Sequence, residues 1–209
     1  MMDVKKIVKD ALILCLITLI AGMALGVTNE VTKPIIDEAR IEKTNELRRT
    51  VFPGAAGFEE FADIEGILKL SELAVSYQNF GDVSVDDAVK AVDESGNVIG
   101  YVVTATSNEG YGGAVQIIAG IDPVNAKVLG LDFLTLNETA GLGMKAKEPA
   151  FLDQFPGKKA AVLHVVKTQT EEPEEVQAIT GATKTSKAVT GALNAAVYFA
   201  THCVGGAEE

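Results

Sequence analysis

A long uncharged stretch lies near the first residue of the chain. Residues from Ala11 to Val27 carry no charge and follow three lysines within positions 5–9. The stretch is slightly shorter than the roughly 20 residues that cross a hydrocarbon core, but positions 28–32 extend it at the interface. It therefore predicts a transmembrane helix. A cleaved signal peptide is the alternative, since positions 24–26 have small residues at the required spacing, but the length of the run and the helical segment after it argue against cleavage.

The next segment is charged, with apolar residues interspersed. Residues 34–49 predict a helical stalk, which ends near the Phe-Pro-Gly sequence at 52–54 because proline and glycine interrupt helices. Lysines before a span favour the cytoplasmic side, so the N-terminus is expected in the cytoplasm. The expected division is 1–33 for the N-terminus and transmembrane helix, 34–54 for the stalk and 55–209 for an extracytoplasmic domain.

Apolar segments beyond residue 86 predict strands in pairs. Ser95-Gly96-Asn97 is typical of a hairpin turn and separates two such segments. A second pair surrounds the turn at 123–126. Consecutive hairpins build an antiparallel sheet. The predicted strands are 88–92 and 98–104, then 115–121 and 128–136, with a further strand at 161–167.

Helical spacing is clearest near the end of the chain. Apolar residues recur from Ala188 to Phe199 at helical intervals and predict a helix over 184–203. Residues 59–73 are predicted as short helix and turn, and 77–86 as loop. The last helix can cover one face of the sheet. The predicted fold class is therefore α+β: an N-terminal transmembrane helix and stalk, followed by an antiparallel-sheet domain covered by helices.

Composition narrows the functional classes. A chain of 209 residues with net charge −11 lacks the basic face that nucleic acids require, which argues against a nucleic-acid partner. Cys15 and Cys203 lie in unrelated segments without metal-ligand spacing, so neither a disulfide nor a metal site is expected. His164 and His202 lack a partner at a catalytic spacing and are interpreted as structural or surface residues. The acidic run 171–175 is interpreted as a solvated loop.

The candidate chemistry lies in a hydroxyl-rich turn, Ala178 to Ser186, which runs into the last helix. The first N–H groups of a helix lack partners within it and lie at the positive end of its dipole. A phosphate placed there gains hydrogen bonds and a favourable field. Thr183 stands at the expected helix start. The alternative is an ordinary N-cap, in which a threonine or serine side chain satisfies those N–H groups.

The same turn resembles a known modification motif. Thr180-Gly181-Ala182-Thr183 is similar to the end of Asp-x-x-Ser/Thr-Gly-Ala-Thr, the flavinylation motif of a family of covalent FMN-binding domains. These domains occur in the G subunit of Rnf complexes and in the C subunit of sodium-pumping NADH:quinone oxidoreductases. In that family the last threonine carries FMN through a phosphodiester, and the resemblance gives this role to Thr183. The Asp of the motif falls on Gln177.

Three more segments resemble the family and occur in its order. They are similar to a glycine-rich segment before a strand, a Glu-Thr-Pro-Gly-Leu-Gly loop and a Gln-Phe-x-Gly-Lys segment. Here they are 110–113, 138–143 and 151–158. Ala140 stands in place of the proline of the loop. Together with the flavinylation motif, these segments extend the resemblance over residues 87–204.

The resemblance implies a cofactor site where two of these segments meet. Backbone amides after Thr183 and neighbouring hydroxyls are expected to receive the phosphate oxygens, with Lys184 adding charge. In the loop 138–143 the glycines allow close approach of a planar ligand, and Leu142 is expected against its face. An ordinary glycine turn is the alternative for this loop. The expected FMN-binding residues are Thr183, Thr180, Gly181, Ala182, Lys184, Thr185, Glu138, Thr139, Gly141 and Leu142.

The implied function is electron transfer in the cell membrane. The chain has no dinucleotide-binding glycine motif and no catalytic residue is expected, so a covalent FMN serves as a relay. The resemblance implies a redox subunit of an ion-translocating oxidoreductase complex of the Rnf type. Its expected partners are the other membrane and redox subunits, a flavin-transferring enzyme and the lipid bilayer. Two alternatives stay open: a solitary membrane-anchored FMN carrier serving an extracytoplasmic reductase, and a non-redox assembly domain.

Overall fold

The computed structural model describes residues 4–204, so the predictions for 1–3 and 205–209 lie outside the described residues. The chain divides into two compact units at Asn45. The first unit is helical and forms most of α1 (Val4–Val51). Within the described range, α1 is the one helix long and apolar enough to cross a membrane, and an 18-residue stretch of it has mean hydropathy 2.5. Pro34 lies inside α1 without ending it, so the division between span and stalk stays a prediction.

The second unit is built on a five-stranded antiparallel sheet. Asp93 stabilises its β2–β3 turn, because its carboxylate accepts the N–H of Ser95 at 2.8 Å and of Asn97 at 2.9 Å. Hydrogen bonds from the side chain and backbone of Asn97 hold the pKa of Asp93 below its usual range. The antiparallel sheet and its two predicted hairpins are confirmed. The strands lie in chain order as β1 (Gly57–Glu60), β2 (Val83–Val92), β3 (Val98–Ser107), β4 (Val115–Asp122) and β5 (Lys127–Leu136).

Helix α4 (Thr183–Tyr198) covers one face of this sheet and packs across β2, β3 and β4. Val189 and Leu193 of α4 are fully buried in the same cluster as Val103 of β3. A π-helical turn, Phe199–Cys203, continues the chain. The predicted helix at 184–203 is therefore α-helical only as far as Tyr198. The spacing of apolar residues does not distinguish an α-helix from a single π-helical turn, because both place apolar residues on the side that faces the core.

The end of α1 covers the opposite face of the sheet. Val51 and Phe52 are buried against Val102 of β3 and other apolar residues of that face. Arg48 adds an ion pair, since its Nη2 lies 3.2 Å from Oδ2 of Asp87. The last residues of α1 thus pack as part of the second unit, although the domain was predicted to begin at position 55.

A separate two-stranded parallel sheet lies beside the main one. It pairs β6 (His164–Val166) with β7 (Glu175–Gln177). The predicted strand at 161–167 is therefore shorter than expected and does not join the antiparallel sheet. Before β6, the side-chain amide of Asn194 accepts the N–H of Leu163 at 2.8 Å and donates to its carbonyl at 3.0 Å. This amide occupies the place where a neighbouring strand would pair.

Other local predictions also need correction. The predicted helix and turn at 59–73 is the end of β1 followed by α2 (Ile64–Ser76), because pairing with β2 holds the first residues extended. The predicted loop at 77–86 gives way to β2 at Val83. The acidic run is exposed through position 174, and β7 begins at its last residue. A short helix α3 (Pro149–Leu152) follows the main sheet.

Candidate functional site

The threonine-rich motif folds as a tight turn that leads into α4. The N–H of Ala182 donates to the carbonyl of Ile179 at 2.9 Å, and Gly181 has φ +80°. A positive φ at the third residue is type II turn geometry, which glycine adopts without strain. Ser186 fixes the turn from inside the helix, since its hydroxyl accepts the N–H of Ile179 at 2.9 Å and donates to the carbonyl of Ala182 at 3.1 Å.

Helix α4 begins after a residue that has no hydroxyl. Ala182 occupies the N-cap position, because its carbonyl accepts the N–H of Ser186 at 3.1 Å. No side-chain cap closes this helix start within residues 4–204. The ordinary N-cap interpretation is therefore wrong in register: Thr183 is the first helical residue and not the cap. The first amides of α4 are left for an acceptor from elsewhere.

The loop after β5 forms a second wall facing this turn. Glu138 joins the loop to the β3–β4 connection, since its Oε1 accepts the N–H of Tyr111 at 2.8 Å. Within the loop, the N–H of Leu142 donates to the carbonyl of Thr139 at 3.1 Å. A 3₁₀ turn, Gly143–Lys147, follows. The contact between Glu138 and Tyr111 brings together two of the segments that carry the family resemblance.

Gly143 lies where the loop meets α4. A Cβ atom on this residue would lie 2.7 Å from both Cβ of Glu138 and Oγ1 of Thr185. Real Cβ atoms do not approach other atoms this closely, so only glycine fits here without moving a wall.

The two walls enclose a cavity of about 340 Å³. Ligand sites in proteins span roughly 300–1,000 Å³, so the size suits a small molecule. Gly141 and Thr180 do not line it. Gly141 is exposed with φ +75°, and Thr180 lines another cavity of about 290 Å³ together with Gln177. The expected residues that do line the cavity are Glu138, Thr139, Leu142, Gly181, Ala182, Thr183, Lys184 and Thr185.

Two further residues line the same cavity. Gly143 was expected to allow close approach, but it was not among the expected binding residues. Tyr111 was not expected to contact the site at all. A signal for Tyr111 exists in the sequence, because it lies in the glycine-rich segment 110–113. What the sequence does not show is the hydrogen bond across 27 residues that brings this segment to Glu138.

The cavity has two chemically different ends. At the α4 end, Thr185 is 1% exposed and Lys184 lies at the surface beside it. At the loop end, Leu142 is 44% exposed and Tyr111 is 74% exposed, which leaves apolar and aromatic surface at the rim. One end therefore offers N–H and hydroxyl donors, and the other offers surface to a flat apolar group.

Comparison with protein families matches two parts of the chain. Residues 110–198 match the FMN-binding domain family, and residues 1–51 match the RnfG N-terminal region. The first match contains both walls of the cavity. The second match coincides with the part of the chain that ends with α1.

Similar proteins cover nearly the whole chain. The G subunit of the Na(+)-translocating ferredoxin:NAD(+) oxidoreductase complex of Acetobacterium woodii is 38% identical over 200 residues, 93% of this chain and 92% of that protein. The G subunit of the proton-translocating complex of Clostridium ljungdahlii is 31% identical over 200 residues, 96% and 93% of the two chains. The crystal structure of Shewanella oneidensis NqrC aligns over 55% of each chain with TM-score 0.45 and 23% identity. On the full-length identities and the two family matches, the chain belongs to the family of Rnf G subunits and contains its FMN-binding domain.

Proposed function

We propose that this protein is the electron-transfer subunit of an ion-translocating membrane complex of the Rnf type, and that Thr183 carries FMN through a phosphodiester. One observation carries the proposal. The uncapped start of α4, with Thr183 as its first residue, opens into a cavity whose other wall is the loop 138–143. The family match supports FMN as the group that occupies it.

The residues at the start of α4 fit a phosphate. The N–H groups of the first turn lack a side-chain cap and lie at the positive end of the helix dipole. A phosphodiester on Thr183 keeps the phosphate beside these donors, with the Thr185 hydroxyl and Lys184 along the same wall. Thr180 and Gly141 lie outside the cavity, so their proposed role is structural: Thr180 forms part of the turn before α4, and Gly141 forms part of the loop 138–143.

The residues at the loop end fit a planar ring. Leu142 presents apolar surface to the cavity, and a Cβ atom on Gly181 would lie 3.2 Å from its Cδ2. Glycine at 181 therefore leaves Leu142 free to lie against a ligand. The carboxylate of Glu138 holds Tyr111 at the rim by accepting the backbone N–H of Tyr111. When bound, FMN supplies the redox chemistry, while these residues bind, orient and partly shield it.

The proposed electron transfer involves other subunits of the complex. The two G-subunit relatives are named as parts of ferredoxin:NAD(+) oxidoreductase complexes, so electrons are proposed to pass between this subunit and its fellow membrane and redox subunits. A flavin-transferring enzyme attaches the cofactor. Helix α1 anchors the chain once in the cell membrane, with the N-terminus cytoplasmic and the main domain extracytoplasmic. One relative is named for Na(+) and the other for protons, so the proposal names no particular ion.

A solitary membrane-anchored FMN carrier is the second candidate. It would hold the same flavin on Thr183 but would not co-purify with the other subunits. Full-length identity to two complex subunits favours the subunit assignment. A non-redox assembly domain would use its threonine-rich turn only as a cap, and the alanine at the cap position of α4 argues against that role.

In-gel flavin fluorescence tests the attachment. The full chain is expressed with its flavin-transferring enzyme, denatured, separated by electrophoresis and examined for fluorescence. The wild-type band is expected to fluoresce, and Thr183→Ala is expected to be dark. Thr180→Ala is the matched control, since it removes a hydroxyl from the same turn outside the cavity.

Each outcome has a defined meaning. A dark wild-type band, with the transferase proven active on another substrate, overturns the covalent assignment. Fluorescence that persists in Thr183→Ala but disappears in Thr180→Ala moves the attachment site from Thr183 to Thr180, three residues earlier. Gln177→Asp restores the Asp of the family motif, so fluorescence is expected to rise or stay unchanged; a clear loss would show that the transferase reads this turn differently.

A further inference from the structure

A second cavity, of about 490 Å³, lies beside the middle of α4. It is lined by the loop 78–81, the segment 162–165, Glu109 and four residues of the helix. The four are Lys187, Thr190, Gly191 and Asn194, and the cavity shares no lining residue with the cavity at Thr183. Its volume is also within the range of ligand sites. The proposed function gives this cavity no role.

An unsatisfied hydroxyl lies in the wall of this cavity. Thr190 is 3% exposed, and its Oγ1 has no hydrogen-bond partner in the part of the chain that the structure describes. Six threonines of α1 and of the π-helical turn donate to the carbonyl four residues earlier. Those threonines are Thr18, Thr28, Thr32, Thr44, Thr50 and Thr201. Thr190 does not, although burial makes an unmet hydroxyl costly. Its oxygen therefore lacks a hydrogen-bond partner within residues 4–204, and Thr190 is one of the residues that line the cavity.

A free strand edge borders the same cavity. In β6, the N–H of His164 donates to the residue before β7, and the carbonyl of Val166 accepts from the residue after β7. Alternate residues of a strand face opposite sides, so the N–H and carbonyl of Val165 face away from β7. Val165 lines the cavity, and no described strand pairs along this edge of β6.

Asn194 shows that this edge accepts strand-like partners. Its amide makes both a donor and an acceptor contact with the backbone of Leu163, as a neighbouring strand would. Leu163 and Val165 are two residues apart, so their backbone groups face the same side. The helix thus satisfies the first position of the edge, and the next position is exposed to the cavity.

We propose that this cavity receives an extended segment of another polypeptide chain, which pairs with Val165 along the free edge of β6 and hydrogen-bonds to the hydroxyl of Thr190. The edge offers one donor and one acceptor at strand spacing, and an extended peptide backbone complements both at once. A phosphate or lipid headgroup would satisfy the donor and leave the carbonyl unpaired. The source of the segment, a fellow subunit, rests on the proposed function.

The proposed docking site at Thr190 lies on the same helix as the proposed flavin site at Thr183. Thr183 and Thr190 are seven residues apart on one helix, which corresponds to about 10 Å along its axis. A chain docked at Thr190 therefore lies within about two helical turns of the proposed flavin. Docking and electron transfer would share one rigid element.

Thr190→Val provides the first test, because it is predicted to change stability and association in opposite directions. The free full chain should melt at the same or a higher temperature, since an unsatisfied buried hydroxyl is removed. Association with the other subunits, measured by titrating the detergent-solubilised full chain against the complex that lacks it, should weaken about threefold to tenfold, the range for one lost hydrogen bond. Thr201→Val is the control, because its hydroxyl already donates to Val197 at 2.8 Å; its association should not change.

Val165→Pro and Val165→Ala separate the backbone from the side chain. Proline removes the N–H that faces the cavity without touching the bonds to β7, whereas alanine keeps that N–H. Proline should weaken association more than tenfold, and alanine should change it by less than threefold. If the proline variant fails to fold, the Thr190 result still decides.

A photo-crosslinking amino acid at His164, which is exposed beside the edge, identifies the occupant in the assembled complex. A crosslink mapped to one extended segment of a fellow subunit supports the proposal. The control position is Val124, which is 82% exposed in the β4–β5 turn. Crosslinks to lipid, to a second copy of this chain, or at a yield no higher than the control overturn the proposal. So does Thr190→Val binding with wild-type affinity. Flavin fluorescence should persist in every variant, which separates failure here from failure of the flavin assignment.

Discussion

Two helices of the folded domain begin differently. Helix α2 starts after Asp63, whose carboxylate accepts the N–H of Gly66 at 3.0 Å. Helix α4 starts after Ala182, which has no side-chain acceptor, and its first residues line the cavity. The first amides of a helix need an acceptor from outside the helix, which a side-chain cap, water or a ligand supplies. An uncapped start that lines a ligand-sized cavity leaves room for a ligand as this acceptor, and in this protein the proposed ligand is the phosphate of FMN.

Flavin loading should slow hydrogen exchange at the start of α4 and leave exchange at the start of α2 unchanged. A phosphate on Thr183 adds charge-assisted hydrogen bonds to the first turn of α4, and two of them contribute about 3 kcal/mol. Hydrogen exchange should show amides 183–185 protected by roughly a hundredfold or more in the loaded protein relative to the unloaded one. The first turn of α2 should not change.

The control for this prediction is Thr183→Ala, which cannot carry the flavin and should exchange as the unloaded wild type does. Equal protection of the α4 amides in loaded and unloaded protein would show that something other than the phosphate satisfies them.

Gly143→Ala should damage the α4 site and leave α2 intact. Its Cβ would lie 2.7 Å from Cβ of Glu138 and Oγ1 of Thr185, so one wall of the cavity has to move. Overpacking of this kind costs about 2 kcal/mol of unfolding free energy. Denaturant unfolding and in-gel fluorescence should show lower stability together with lower flavin loading.

Gly141→Ala is the matched control for that change. Gly141 has φ +75°, but a Cβ atom at this position would meet no other atom within 4 Å, so alanine strains the loop without filling the cavity. It should lower stability and retain flavin loading. Loss of loading in both variants would mean that loop strain, and not the fit of the walls, controls the site.

The sequence predicted elements whose signals are local. The hairpin turn at 95–97 and the helix after Thr183 depend on neighbouring residues; the turn was confirmed, and the helix was confirmed as far as Tyr198. The start of β2 was missed because Asp86 and Asp87 are atypical of a strand. A register shift at this point and the ion pair from Arg48 to Asp87 accommodate them. Such long-range partners leave no pattern in the local sequence.

The same limit applies to the candidate site. The turn at Thr183 could be located from sequence, but the helix was predicted to start at 184, one residue late, and the hydroxyl of Thr183 left an ordinary N-cap as the alternative. Ser186 fixes the register instead, through Ile179 and Ala182. Tyr111 was missed because its place at the rim depends on Glu138, which is far along the chain.

A side-chain cap introduced at the start of α4 should make this helix start resemble that of α2. Ala182 has φ −135° and ψ 42°, close to the −136° and 66° of Asp63, so a serine at 182 can cap as Asp63 does. Ala182→Ser should stabilise the unloaded protein by about 1 kcal/mol. In the loaded protein the gain should vanish, because the phosphate already occupies those amides. Chemical denaturation of both forms measures the two values, and an equal gain in both would show that the phosphate lies elsewhere.

Removing the cap of α2 should have the smallest effect and should not reach the flavin. Asp63→Ala loses the bond to Gly66 on an exposed helix start and should cost about 0.5 to 1 kcal/mol. Asp63→Asn is the matched control, since asparagine caps comparably and should restore most of that stability. Hydrogen exchange should place the loss in residues 64–66, with in-gel flavin fluorescence unchanged. A drop in flavin loading in Asp63→Ala would show that the two helix starts are coupled through the core. Flavin binding at the start of α4 would then depend on more than the residues that line its own cavity.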